Sequence, residues 1–160
     1  MGATVVFDRL IALLDGKGVA YDVLRHEPVH TSEEAARVRG TPLASGAKAL
    51  ICRADGRFVL LVLPGDLRLD SARARKALGV KSLRFATRDE VEELTSLTPG
   101  AIPPFGQVFG IPSYCDHKLL DEPTISFNAG DHAVSVSLRS ADYLVVEQPT
   151  RALLSEDRSA

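Results

Sequence analysis

Three places in the chain carry groups suited to chemistry. Lys48 opens the run Ala47–Arg53, where alternation puts Lys48, Leu50 and Cys52 on one face and Ala47, Ala49 and Ile51 on the other. A lysine entering an apolar strand needs water, a partner or a ligand, because an isolated buried ammonium is costly. An edge-strand lysine that snorkels to solvent and discourages aggregation accounts for it as well. The second place is Gly100-Ala101-Ile102-Pro103-Pro104-Phe105-Gly106. Its end glycines permit unusual backbone angles and its paired prolines stiffen the middle, which suits a loop that holds backbone amides around a small ligand or a rigid turn. The third is the polar turn Asn128-Ala129-Gly130-Asp131-His132 between two strand-like runs, which a hairpin requires in any case.

Other chemistries lack their signatures. The nucleophile-elbow pattern Gly-x-Ser-x-Gly, the phosphate-loop lysine motif and the dinucleotide glycine fingerprint are all missing. Cys52 and Cys115 are too far apart for a Cys-x-x-Cys motif, and with His26, His30, His117 and His132 they offer no metal-ligand spacing. No metal and no cofactor is expected. Both cysteines sit beside apolar or aromatic residues, which predicts buried free thiols.

These groups need a scaffold. Phe7, Leu10, Ile11 and Leu14 form one apolar face of a helix over Thr4–Lys17, stopped by Gly16 and Gly18. Tyr21–Leu24 reads as a short strand. Thr31 with Glu34 is a capping-box pattern for a helix to Arg39, closed by Gly40. Ala47–Arg53 and Arg57–Leu63 form a hairpin across Ala54-Asp55-Gly56. Asp70 caps a helix over Ser71–Leu78, ended by Gly79. Lys81–Phe85 reads as a strand, and Thr87 with Glu90 opens a helix to about Leu94. A loop rich in Pro and Gly spans Leu97–Pro112. Strands are expected at Tyr114–Leu119, Thr124–Phe127 and His132–Leu138, then a frayed polar tail. The 160 residues therefore predict a single α+β domain, 1–160, in which short helices surround a mixed β-sheet, with a core of about 4–147 and a tail over 149–160.

Composition narrows the class further. The chain is 45% hydrophobic and 25% charged, which excludes disordered, collagen-like and coiled-coil proteins. Its longest apolar run is Phe58–Leu63, too short for a membrane span, and Asp8 and Arg9 interrupt any signal-peptide core. A cytoplasmic location without membrane association is expected. The net charge of −2 argues against a general nucleic-acid coat protein and against DNA as partner. Residues 68–88, however, hold seven basic residues (Arg68, Arg73, Arg75, Lys76, Lys81, Arg84 and Arg88) against the single acid Asp70. Such a segment is either a solvated helix face or a docking site for phosphates.

Five stretches in order resemble a known family. They are Thr31-Ser32-Glu33-Glu34-Ala35-Ala36, Gly46-Ala47-Lys48-Ala49-Leu50, Leu67 to Gly79, Gly100-x-x-x-Pro104-Phe105-Gly106, and Asn128-Ala129-Gly130. In this order and spacing, over roughly Leu24 to Leu144, the chain is similar to the YbaK-like aminoacyl-tRNA deacylases. These include the editing (insertion) domain of bacterial prolyl-tRNA synthetase and its free-standing trans-editing relatives. The resemblance implies that family's fold and hydrolysis of the ester joining an amino acid to the 3′ end of a mischarged tRNA. Lys48 matches the family's essential lysine, and Gly100 with Pro104 its glycine–proline loop. Asn128 falls where relatives often carry a serine.

By this resemblance Lys48 and Gly100 serve catalysis, while His30, Thr31, Pro104, Phe105, Gly106, Asn128, Gly130 and His132 bind substrate. Arg73, Arg75 and Lys76 are the expected tRNA contacts, and an aminoacyl-tRNA synthetase is a possible further partner. Alanine-clearing relatives usually place Asn after the lysine, where this chain has Ala49. Many cysteine-clearing relatives are basic where it has Asp131-His132. The alternative is a non-catalytic module that binds aminoacyl-adenosine, an amino acid or tRNA.

Overall fold

A computed structural model describes residues 2–158. Helix α1 (Ala3–Gly16) buries Val6, Leu10 and Leu14 completely, with Phe7 and Ile11 flanking that stripe. β1 (Asp22–Arg25) follows, then α2 (Ser32–Arg39). The Thr31–Glu34 capping box is formed in both directions, and Gly40 closes α2 at φ +67°. β2 (Ala47–Ala54) and β3 (Arg57–Pro64) pair antiparallel along their whole length. Their turn has positive φ at both Asp55 and Gly56, the backbone a tight two-residue hairpin demands.

The remaining elements are α3 (Ser71–Leu78), β4 (Leu83–Phe85), α4 (Arg88–Thr95), β5 (Ser113–Asp116), β6 (Thr124–Asn128), β7 (Val134–Arg139), α5 (Ser140–Glu147) and β8 (Thr150–Ala152). Asp70 caps α3, Gly79 ends it, and Thr87 with Glu90 forms the second capping box at α4.

The strands form two sheets where one was expected. A five-stranded sheet runs β4-β2-β3-β5-β8, and it is mixed because β5 lies parallel to both β3 and β8. A three-stranded antiparallel sheet runs β1-β7-β6. Among the described residues one isolated bridge, Gly46 to Ser126, joins them. The larger core lies between the sheets and under α1, and Ala47, Ala49 and Ile51 point into it from β2. Cys52 faces the smaller core under α3, as alternation requires. Both cysteines are buried and free, and burial pushes their thiols up to about 12.

Two further expectations are corrected. Tyr114–Leu119 is a shorter strand followed by a tight helical turn over His117–Asp121. The tail is not frayed at its start: β8 pairs with β5, and Leu154 and Ser155 are buried. The cause is Asp116. Its carboxylate accepts the Leu154 and Ser155 amides at 2.9 and 2.8 Å, the Ser155 hydroxyl at 2.8 Å and the Lys118 amide at 2.8 Å. Leu69 bridges to Ser155, and Arg158 pairs with Asp66 at 2.8 Å, so residues 155–158 lie along the loop before α3.

Candidate active site

The seam between the sheets carries a cavity. One wall is α2 and its approach, with Val29, His30, Thr31, Ser32, Ala35, Ala36 and Arg39. The floor is Gly46 to Leu50 with Gly65, and the far side is Gly100, Ile102, Asn128 and His132. This lining holds two cations, Arg39 and Lys48, and no carboxylate, in a chain with an excess of acids.

Lys48 is half-buried, and its Nζ donates to the Leu67 carbonyl at 2.6 Å. Burial lowers its pKa, with Glu33 and Asp66 pulling it back up and Arg68 adding to the fall. An ammonium has three donors, so two remain for a ligand or water. The opposite end of β3 closes on the same site. A side chain on Gly65 would lie 2.7 Å from the Leu43 carbonyl, so only glycine lets the floor approach this closely.

His132 is anchored by both ring nitrogens. Nδ1 lies 3.1 Å from the Val29 carbonyl and must donate to it, which leaves Nε2 at 2.9 Å to accept from Thr98 Oγ1 when the ring is neutral. The His30 ring packs against it with centroids 4.8 Å apart. Asn128 spans two elements: its Oδ1 accepts from Arg39 Nη2 at 2.9 Å and its Nδ2 donates to the Gly100 carbonyl at 2.8 Å. Burial lowers the Arg39 guanidinium to about 10, leaving it charged at neutral pH.

Lys48, Gly100, His30, Thr31, Asn128 and His132 are thus brought together, with Thr31 also capping α2. Pro104, Phe105, Gly106 and Gly130 are not on the cavity wall. Phe105 is fully buried between the edges of Phe127 and Tyr143, and Tyr143 Oη donates to the Pro104 carbonyl at 2.8 Å. The Gly106 amide donates to Glu147 at 2.8 Å, and a side chain there would meet the Ile111 carbonyl. Gly130, at φ +88°, donates to the Ala101 carbonyl at 2.8 Å. These four residues hold the loop rather than line the cavity. Within the loop the amides of Ala101, Phe105 and Gly106 are engaged internally. Among the described residues the Gly100 and Ile102 amides have no such partner.

The basic segment also divides. Arg73 is held by Asp157 at 2.9 Å and donates to the Ser155 carbonyl at 2.9 Å, so it clasps the C-terminal residues. Arg84 pairs with Glu90 at 2.7 Å. Arg75 and Lys76 form no ion pair among the described residues.

Sequence reasoning passed over Arg39 and Gly65. For Arg39 a signal existed: Thr31, Ser32, Ala35, Ala36 and Arg39 recur at helical spacing and share one face of α2.

Its likeness to known proteins places the chain among aminoacyl-tRNA editing proteins. It belongs to the aminoacyl-tRNA editing domain family, whose model matches residues 26–145. The chain is 38% identical over 151 residues to the multifunctional Ser/Thr-tRNA deacylase ProXp-y of Escherichia coli (strain K12), covering 91% of this chain and 90% of that protein. It is 28% identical to the prolyl-tRNA editing protein ProX of Acetoanaerobium sticklandii, over 83% of this chain and 85% of that one. Among solved structures, a proposed trans-editing enzyme for prolyl tRNA synthetase superposes with a TM-score of 0.82 at 27% identity, covering 95% of this chain and 98% of that chain. No described helix is long and apolar enough to cross a membrane.

Proposed function

We propose that this protein hydrolyses the ester of mischarged aminoacyl-tRNA in trans, by direct attack of water in the cavity bearing Lys48. It is an aminoacyl-tRNA deacylase, a reading supported by its family, by a relative of matching length named a tRNA deacylase and by another named a prolyl-tRNA editing protein. The observation that carries the mechanism is the lining: two cations, uncommitted backbone amides and no carboxylate or cysteine. An aminoacyl ester is already activated, so positioning of water and stabilisation of a developing oxyanion supply most of what is needed. The Gly100 and Ile102 amides are the donors for that oxyanion. Lys48, tethered to the Leu67 carbonyl, orients the ester or holds the terminal phosphate with its remaining donors. With no carboxylate in the cavity, the substrate's neighbouring ribose hydroxyl assists the attacking water.

Serine and threonine are the amino acids removed, a reading supported by the 38% identity to ProXp-y. Arg75 and Lys76 touch the tRNA backbone, and a prolyl-tRNA synthetase is the synthetase partner, a reading supported by the proline–tRNA ligases that match part of the chain. The test is release of labelled amino acid from seryl-, threonyl- and alanyl-tRNA made by mischarging. Release of serine and threonine ahead of alanine supports the reading. Binding without turnover on every member of the panel would make the domain a binding module instead.

A further inference from the structure

We infer that Arg39 is a positioning residue for catalysis, setting the Gly100 peptide through the side chain of Asn128. The inference rests on the deacylase reading of the cavity and assigns a role to a residue outside the recognised motifs.

Arg39 stands at the C-terminal end of α2 without a carboxylate partner among the described residues. Its guanidinium instead spends donors on two neutral acceptors from the three-stranded sheet. Nε donates to Ser135 Oγ at 2.8 Å, and Nη2 donates to Asn128 Oδ1 at 2.9 Å. The Ser135 hydroxyl, accepting from Arg39, has its own proton for His26 Nε2 at 2.7 Å. His26 Nδ1 faces the Glu27 carbonyl at 2.8 Å and so carries the ring hydrogen. Nε and Nη2 share one edge of the guanidinium, so these two bonds fix its plane, and the Ser135 hydroxyl and the His26 ring each find their own partner.

The consequence falls on Asn128. An amide side chain can flip, exchanging oxygen for nitrogen. A guanidinium donor on one side requires the oxygen there and turns Nδ2 towards the Gly100 carbonyl, 2.8 Å away. That carbonyl belongs to the same peptide plane as the Ala101 amide, which donates to Thr98 at 3.1 Å. The following plane is pinned by the Gly130 amide on the Ala101 carbonyl at 2.8 Å. Arg39 thereby helps fix the Gly100–Ala101 peptide plane, which lies between the planes that carry the Gly100 and Ile102 amides. Positional errors of an ångström in such donors cost orders of magnitude in rate.

The test uses the intact protein and the isosteric variant Asn128→Asp. Aspartate keeps an acceptor for Arg39 but has no donor for the Gly100 carbonyl. Arg39→Gln and the double variant complete a cycle, read by single-turnover deacylation and by amide NMR of Gly100 and Asn128. Both single variants are expected to lose at least tenfold in kcat with KM within about twofold, and the double variant to be no worse than the poorer single. Arg39→Gln should also shift the Gly100 resonance and release the Asn128 side-chain amide to exchange. A folded, active Asn128→Asp enzyme with parental kcat would overturn the inference. So would a rise in KM alone on Arg39→Gln, which would mean that Arg39 touches substrate, or strictly multiplicative losses in the double variant. A parent protein without deacylase activity would fail the underlying reading instead, and the NMR cycle would still decide whether Arg39 sets the Gly100 peptide.

Discussion

Gly100 and His132 are in steric register: a side-chain carbon on Gly100 would lie 3.2 Å from His132 Cε1, and the Gly100 backbone sits at φ +91°. The ring has no slack, because Val29 and Thr98 hold both its nitrogens. Gly100→Ala therefore strains the backbone and displaces an anchored imidazole. The expected result is a loss of about 1–3 kcal/mol in stability and at least tenfold in kcat. Urea denaturation alongside single-turnover deacylation measures both. A folded variant with parental turnover would detach this loop from the chemistry.

Lys48→Ala is expected to abolish deacylation while the thermal midpoint changes little. Lys48→Arg should also be poor, because a forked guanidinium does not fit a compact ammonium site against the Leu67 carbonyl. The pH dependence has a definite sign. The folded protein binds this proton less tightly than the unfolded chain, whose value is the ordinary 10.5. Stability therefore rises with pH between the folded value and 10.5, while activity falls over the same window as the ammonium is lost. A pH–rate profile of the parent, against a stability profile of parent and Lys48→Met, checks both.

Asp116 predicts the acid limb of stability. Burial pushes its pKa up, but the Lys118, Leu154 and Ser155 donors outweigh that and hold it below the ordinary 3.8. The stability it contributes is present above 3.8 and is lost as pH falls through the lower folded value. Asp116→Asn leaves an amide donor facing donors and should cost about 2–3 kcal/mol at neutral pH. Chemical denaturation from neutral to acid pH should show the variant's curve flatter at the acid end. Superimposable curves would remove Asp116 as the anchor of the last strand.

The salt dependence of tRNA binding separates the basic residues. If Arg75 and Lys76 meet phosphates, replacing both by Ser should flatten the plot of log affinity against log salt by about 1.5. Arg73→Ser should leave the slope alone and instead loosen the C-terminal clasp on Asp157. Equal slopes for parent and double variant would make α3 a solvated face.

Local chemistry in the chain announces local structure. Thr31–Glu34, Asp70, Thr87–Glu90, Gly40, Gly79 and the Asp55-Gly56 turn each act within a few residues, and each forms as its sequence indicates. Helix α5 went unread because Arg139 offers no side-chain cap, Gln148 takes the left-handed position usually given to glycine, and Val145-Val146 reads as strand. The division into two sheets and the anchoring of β8 depend on partners far away in sequence, such as β1 with β7 and Asp116 with Ser155. The same holds at the cavity. Lys48 and Gly100 stand out by residue type, whereas helical spacing could place Arg39 on the cavity face of α2 but could not show its bond to Asn128, 89 positions later.

The seam between the sheets gives the cavity a mechanical character. Lys48 rides on the five-stranded sheet, while Asn128 and His132 ride on the three-stranded sheet or its turn, and among the described residues a single Gly46–Ser126 bridge ties the ladders together there. An opening at that bridge would change the gap between the ammonium and the Gly100 carbonyl's anchor without unfolding either sheet. Hydrogen exchange at Ser126 would report such an opening, and if a tRNA end enters by that route, exchange and turnover should respond together to substitutions at the bridge.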